Sequence, residues 1–210
     1  MEIAIPLFDR FTALDAVGPY EVLARLPGAR LRFLGPEPGP VSDNRMLTLV
    51  AEAAYEEVPA PDVLVFPGGN GTRALLRDER VLGWVREVHA ASTWTTSVCT
   101  GSLVLAAAGL LDGIDATTHW MARDHLDRLG ARSVPDRVVE RGKVITAAGV
   151  SAGIDMALLL AERIAGAKTA HAIQLAIEYD PQPPFHSGAP EKAPPEVRAM
   201  VEQVEQEAAA

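Results

Sequence analysis

Three groups in this 210-residue chain have the side-chain types suited to covalent chemistry: the single cysteine Cys99, the aspartate Asp15 and the glycine pair Gly68-Gly69. Cys99 follows Trp94-Thr95-Thr96-Ser97-Val98, whose β-branched and aromatic residues suit a short strand. It precedes Thr100-Gly101-Ser102-Leu103-Val104-Leu105-Ala106, which opens with small residues and runs on in good helix formers. A cysteine where a strand hands over to a helix sits in the setting of a nucleophile elbow, a sharp turn that lifts one side chain above the sheet. Gly101 fits that turn, while Ser97 stands where an elbow usually has glycine. Such a turn carries an unfavourable backbone conformation. The adjoining helix N-terminus favours thiolate, which predicts a Cys99 thiol pKa below the ordinary value of about 8.5. The competing reading is a small buried hydrophobe, the commonest role of a lone cysteine.

Asp15 lies in Leu14-Asp15-Ala16-Val17-Gly18-Pro19-Tyr20-Glu21. It reads either as a charge complementing the first turn of a helix or as a carboxyl that shuttles a proton to and from the thiol. Glu21, nearly two turns on, is a candidate for the same pocket. Gly68-Gly69-Asn70-Gly71 ends an apolar run and is either a plain turn or a loop presenting N–H groups to developing negative charge, as an oxyanion hole does. The phosphate-loop pattern of glycines followed by Lys-Ser/Thr is absent. His119 is the one histidine of five at a strand end; His89, His125 and His171 read as helix-surface or core residues. The dispersed His, Asp and Cys residues form no metal-ligand spacing.

These residues need a scaffold. Ile3–Phe8, Arg30–Gly35, Met46–Val50, Asp62–Phe66 and Trp94–Val98 read as strands, and Val138–Glu140 with Lys143–Thr146 as a hairpin about Arg141-Gly142. Helices are predicted after Thr12 as cap, over 78–91, from the cysteine to about Leu111, over His119–Leu129, from a Ser151 cap to about Ile164, and over Lys168–Ile177. Alternating strands and helices imply a mostly parallel sheet with helices on both faces, whose sites form beyond the carboxyl ends of the strands. Residues 1–188 read as one α/β domain; 189–210 read as a Pro-rich link and a short helical tail from Pro195 to Ala210.

A hydrophobic share of 48% with 22% charged residues places the chain among globular proteins. Lys and Arg are scattered through a chain of net charge −9, so nucleic acid is not an expected partner. No apolar run approaches a membrane span, and the first residues read as a strand rather than a signal peptide. With one cysteine available no internal disulfide forms, and the expected location is the cytoplasm.

Leu14–Val22, Val65-Phe66-Pro67-Gly68-Gly69-Asn70-Gly71, Val98-Cys99-Thr100-Gly101, Ala116-Thr117-Thr118-His119-Trp120 and Ile177-Glu178-Tyr179-Asp180-Pro181-Gln182-Pro183-Pro184 together resemble the ThiJ/PfpI superfamily, the class I glutamine-amidotransferase-like fold. The likeness spans about residues 2 to 185 and is most pointed towards the isocyanide hydratase branch. It implies a flavodoxin-like three-layer α/β sandwich, a homodimer, a small-molecule substrate and no cofactor. It also implies Cys99 as nucleophile, Asp15 as its required partner and Thr100 in support, with Gly68, Gly69, Glu21, His119 and Asp180 at the oxyanion or substrate site. The reaction implied is hydration of an isocyanide to an N-substituted formamide through a thioimidate. Proteases of the superfamily follow the cysteine with histidine, where this chain has Thr100. Many members carry glutamate in place of Asp15, which argues against a glyoxalase or deglycase. A Cys-dependent hydrolase or amidase, and a ligand- or redox-sensing domain similar to the sensor part of AraC-type regulators, remain the alternatives.

Overall fold

The computed structural model describes residues 1–43 and 45–207, which divide into two compact units, Met1–Ile177 and Glu178–Ala210. The first unit carries strands β1 (Glu2–Pro6), β2 (Arg30–Gly35), β3 (Gly39–Ser42), β4 (Thr48–Ala51), β5 (Ala53–Ala54), β6 (Val63–Phe66), β7 (Trp94–Val98), β8 (Asp115–Ala116), β9 (Arg132–Ser133), β10 (Val138–Arg141) and β11 (Val144–Ala147). Its helices are α1 (Ala13–Leu23), α2 (Thr72–Leu75), α3 (Glu79–Ala91), α4 (Gly101–Ala107), α5 (Arg123–Arg128), α6 (Ala152–Ala165) and α7 (Ala167–Ala176).

The main sheet runs β10-β11-β7-β6-β1-β2-β5, parallel except for the antiparallel edge strand β10. The chain leaves β1 first towards β2 and later returns to its other side at β6, so a topological switch point lies between β1 and β6. Right-handed crossovers on opposite sides of that point put helices on both faces. Accordingly α1 packs with α6, and α3 packs with α4. The result is a flavodoxin-like α/β sandwich. The central strand β6, Val-Leu-Val-Phe, is buried at every position, as a strand covered on both faces must be. Each such side chain contributes about 1.5–3 kcal/mol by leaving water.

Local chemistry accounts for most boundaries. The Asp78 carboxylate accepts from the N–H groups of Arg80 and Val81 and starts α3, whose Val81, Leu82, Trp84, Val85 and Val88 face the core. Gly142, at φ +59°, makes the β10–β11 turn at the expected place. Other details differ from expectation. The link after β2 is itself strand β3, paired antiparallel with β4. Helix α4 stops at Ala107, and the chain turns at Gly109 with φ +82°. Neither expected side-chain cap forms: Thr12 and Ser151 hold the N-cap positions of α1 and α6 without capping bonds, and the Ser151 hydroxyl accepts from Arg137 instead.

The second unit contains helix α8 (Pro195–Glu207), with an Arg198–Glu202 ion pair one turn apart. Residues 208–210 of the expected tail lie outside the described residues. Among the described residues, no helix is long and apolar enough to cross a membrane.

Candidate active site

Strand β7 ends at Val98, and Cys99 then takes φ +57°, a left-handed conformation that a non-glycine residue adopts at a cost of about 1–3 kcal/mol. This is the strained elbow expected of a nucleophile. Three arrangements hold it. The Cys99 N–H is shared between the carbonyls of Ala147 (3.1 Å) and Ala148 (3.0 Å) at the end of β11. The Cys99 carbonyl accepts from the hydroxyls of Thr118 (3.0 Å) and Ser102 (3.1 Å). Gly101 lets α4 start hard against β6, since a Cβ there would lie 2.3 Å from the Phe66 carbonyl. Cys99 itself is only 5% exposed.

Asp15 sits in the first turn of α1 yet is completely buried, so it is not a surface charge serving the helix. Two glycines bring α1 close. Gly18 packs on Ile154 of α6, and Gly153 packs between Val98 and Pro19, where a Cβ would lie 3.1 and 3.3 Å away. Pro19 has no N–H to give the Asp15 carbonyl four residues back. The loop after β6 then meets the Asp15 side chain: the Gly68 N–H donates to Asp15 Oδ2 at 3.0 Å. Asp15 Oδ1 is buried without a hydrogen-bond partner. The Cys99 thiol completes the group beside the Asp15 carboxyl, close enough for each to shift the other's proton affinity.

The glycine pair is committed within the protein. While Gly68 binds Asp15, the Gly69 N–H donates to Thr100 Oγ1 at 2.9 Å, and Thr72 Oγ1 lies 3.2 Å from the same oxygen. A Cβ on Gly68 would fall 2.5 Å from the Thr100 nitrogen and 2.9 Å from Asp15 Oδ2, so only glycine fits between them. Gly69 adopts φ +137°, which again favours glycine. The expectation that these two amides form the oxyanion hole therefore needs correction. They position Asp15 and Thr100, and the N–H groups that reach the thiol are those of Thr100 and Val150.

The electrostatics also correct the sequence reading. Burial, and after it the nearby Asp15 charge, push the Cys99 thiol well above its ordinary range; the Thr100 and Val150 N–H groups pull the other way without prevailing. The helix N-terminus does not decide the matter, because α4 is short and the sulfur is desolvated. Burial likewise pushes the Asp15 carboxyl up to about 7, opposed by the Gly68 N–H bond and the neighbouring Cys99 thiol. The resting pair is therefore a protonated thiol beside a carboxyl that titrates near neutrality. That arrangement suits proton transfer during bond formation rather than a preformed thiolate.

His119 is half-buried against the loop after β11: a Cβ on Gly149 would lie 2.7 Å from its Cδ2. It thus flanks the loop that supplies Val150. Glu21 is not brought to this group. Six residues beyond Asp15, it lies about 120° round the helix, exposed and ion-paired with Arg25. Asp180 belongs to the second unit, where it is exposed and accepts from Gln182 at 2.9 Å. His89, as expected, is a packing residue bonded to Thr95. The sequence reading missed Val150 and the roles of Thr118 and Thr72. Val150 acts through its backbone, at φ +35°, and no side-chain pattern announces that. Among the described residues, no three His, Cys, Asp or Glu side chains gather to hold a metal ion.

Comparison with known proteins places this geometry among relatives. The model of the DJ-1/PfpI family matches residues 1–163. An isonitrile hydratase of Pseudomonas putida is 44% identical over 209 residues, covering 100% of this chain and 90% of the relative. The HTH-type transcriptional regulator CdhR of Pseudomonas aeruginosa is 32% identical over 185 residues, 86% of this chain but 53% of the regulator. Among solved structures, a THiJ/PfpI family protein from Pseudomonas syringae superposes with a TM-score of 0.93 at 38% identity, covering 98% of this chain and 86% of that one.

Proposed function

Because the chain belongs to the DJ-1/PfpI family, we propose from its site that it is an isocyanide hydratase, converting isocyanides to N-substituted formamides with Cys99 as nucleophile and Asp15 as proton shuttle. The observation that carries this reading is the buried pairing of Asp15 with the strained, buried Cys99, in a chain that matches an isonitrile hydratase over its whole length.

The steps use this pair in sequence. The Asp15 carboxylate takes the Cys99 proton as sulfur attacks the isocyanide carbon, forming the C–S bond. Asp15 then returns that proton to the same carbon, leaving the thioimidate R–N=CH–S–Cys99. Next, Asp15 removes a proton from water as the water oxygen adds to the imidate carbon, and the C=N electron pair moves to nitrogen, which takes up the proton. The tetrahedral adduct R–NH–CH(OH)–S–Cys99 collapses. Its C–S bond breaks, the hydroxyl proton passes through Asp15 to sulfur, and R–NH–CHO leaves. The sum is one isocyanide and one water giving one formamide. A carboxyl titrating near 7 suits both directions of this traffic. The Thr100 and Val150 N–H groups stabilise sulfur when it carries charge. Thr100, held by Gly69 and Thr72, keeps its amide in place.

A homodimer acting on a small substrate in the reducing cytoplasm completes the proposal; a free nucleophilic cysteine survives best there. The test is turnover of a panel of small isocyanides with the formamide detected directly by NMR. Saturable product formation, lost in Cys99→Ala, supports the reading. Binding without product points instead to a sensor domain, and product from amides or esters alone points to a hydrolase.

A further inference from the structure

Building on Cys99 as the nucleophile, we propose that Thr118 is a positioning residue for the reaction: its hydroxyl, bonded to the Cys99 carbonyl, orients the Cys99–Thr100 peptide and strengthens the Thr100 N–H as the donor to sulfur.

The grip on that carbonyl comes mainly from side chains. From within the turn, the backbone offers the Cys99 carbonyl only the Ser102 N–H at 3.4 Å, whereas the Thr118 and Ser102 hydroxyls reach it at 3.0 and 3.1 Å. All three residues are buried, so no water competes for the carbonyl. Ser102 is local to the elbow, one helical turn on. Thr118 comes from a separate segment after β8, and its neighbour Thr117 is fixed to β11 by a 2.9 Å bond from its N–H to Thr146 Oγ1. The sheet therefore reaches the elbow through Thr146, Thr117 and Thr118.

The consequence follows from the planarity of the peptide. No peptide bond among the described residues is cis, so the Cys99 carbonyl and the Thr100 N–H point in opposite directions from one rigid unit. Holding the carbonyl towards Thr118 fixes the N–H on the other side, where it meets the Cys99 sulfur. A hydrogen bond accepted by the carbonyl also polarises the peptide and makes its N–H a better donor, an effect enlarged in a dry interior. Thr118 thus acts on the sulfur through the peptide, without touching it, while holding φ +57° against relaxation.

The test uses Thr118→Val, which keeps shape and removes the donor, and Thr118→Ser, which keeps the donor. As the chain has one cysteine, iodoacetamide alkylation reports on Cys99 alone and is independent of isocyanide turnover. We expect Thr118→Val to alkylate about tenfold more slowly at pH 8, with its rate–pH profile displaced to higher pH, the size of effect one ordinary hydrogen bond carries. Its kcat on isocyanide should fall by a similar factor with KM little changed, and Thr118→Ser should recover wild-type behaviour within about twofold. A folded Thr118→Val with the wild-type alkylation profile overturns the proposal, as does a Thr118→Ser that resembles Val. If Thr118→Val does not fold, Ser102→Ala removes the other donor to the same carbonyl. An upward displacement of its alkylation profile supports the proposal, and an unchanged profile overturns it. Should wild type turn over no isocyanide, the hydratase reading fails while alkylation still decides the role of Thr118.

Discussion

Asp15 and Cys99 lie side by side in the dry interior, and each moves the other's proton affinity: the thiol lowers the carboxyl that burial has raised, and the carboxylate raises the thiol further. Neither group is poised for chemistry alone. Together they hold one proton that can be moved to a substrate carbon and back. This coupling leads to the first prediction. Attack requires ionised Asp15, so kcat/KM should fall about tenfold per pH unit below about 7, the pKa to which burial pushes the carboxyl. A pH–rate profile of isocyanide turnover measures this. A flat profile from pH 5 to 8 would remove Asp15 as the base.

Asp15→Asn separates function from stability. Loss of the acid–base group should cost two to four orders of magnitude, roughly, in kcat. Stability should move the other way. The folded carboxyl titrates near 7 and the unfolded one near 3.8, so ionising the native state is unfavourable. The penalty is absent below the unfolded pKa, grows as pH rises between the two values and is complete above about 7, where it reaches roughly 4 kcal/mol before relaxation. Thermal melts should show the asparagine variant more stable than wild type at pH 8.5 and level with it at pH 4. A variant destabilised at pH 8.5 contradicts the buried-charge account.

Cys99 should behave as a shielded thiol rather than an activated one. Its alkylation at pH 7 should be slower than that of a free cysteine, and the rate should continue to climb above pH 9. Rapid alkylation with a midpoint below 8.5 would restore the thiolate expected from the elbow alone.

Gly68→Ala tests the contact between the loop and the acid. A Cβ at 2.5 Å from the Thr100 nitrogen and 2.9 Å from Asp15 Oδ2 must push one of them aside. Because Gly68 carries no left-handed φ, the effect is steric. We expect at least a hundredfold loss of kcat, as displacement by about 1 Å produces, with a stability loss of about 1–3 kcal/mol. Near-normal turnover would mean that Asp15 tolerates a shift the mechanism forbids.

The homodimer is tested by size-exclusion chromatography with light scattering at micromolar concentration. A mass near twice the chain's 22.4 kDa is expected, and a clean monomer contradicts it.

Much of this protein was legible in order along the chain. Val63–Phe66 and Trp94–Val98 announce buried strands because their β-branched and aromatic residues fill a covered pleat, and Arg141-Gly142 announces its hairpin because glycine supplies the left-handed turn. The Cys99 elbow was visible for the same reason: small residues after a strand permit the sharp turn. What the chain could not disclose is whatever depends on residues far apart meeting in a dry interior. Glu21 and Asp15 share one helix, and only the packing of α1 on α6 leaves the first exposed and the second wholly buried. The Gly68 and Gly69 amides look free in sequence, but folding commits them to Asp15 and Thr100. The direction of the Cys99 shift was decided the same way. A helix terminus offers a modest local field, whereas removing sulfur from water beside a carboxylate is a larger opposing effect that exists only once the tertiary fold has closed.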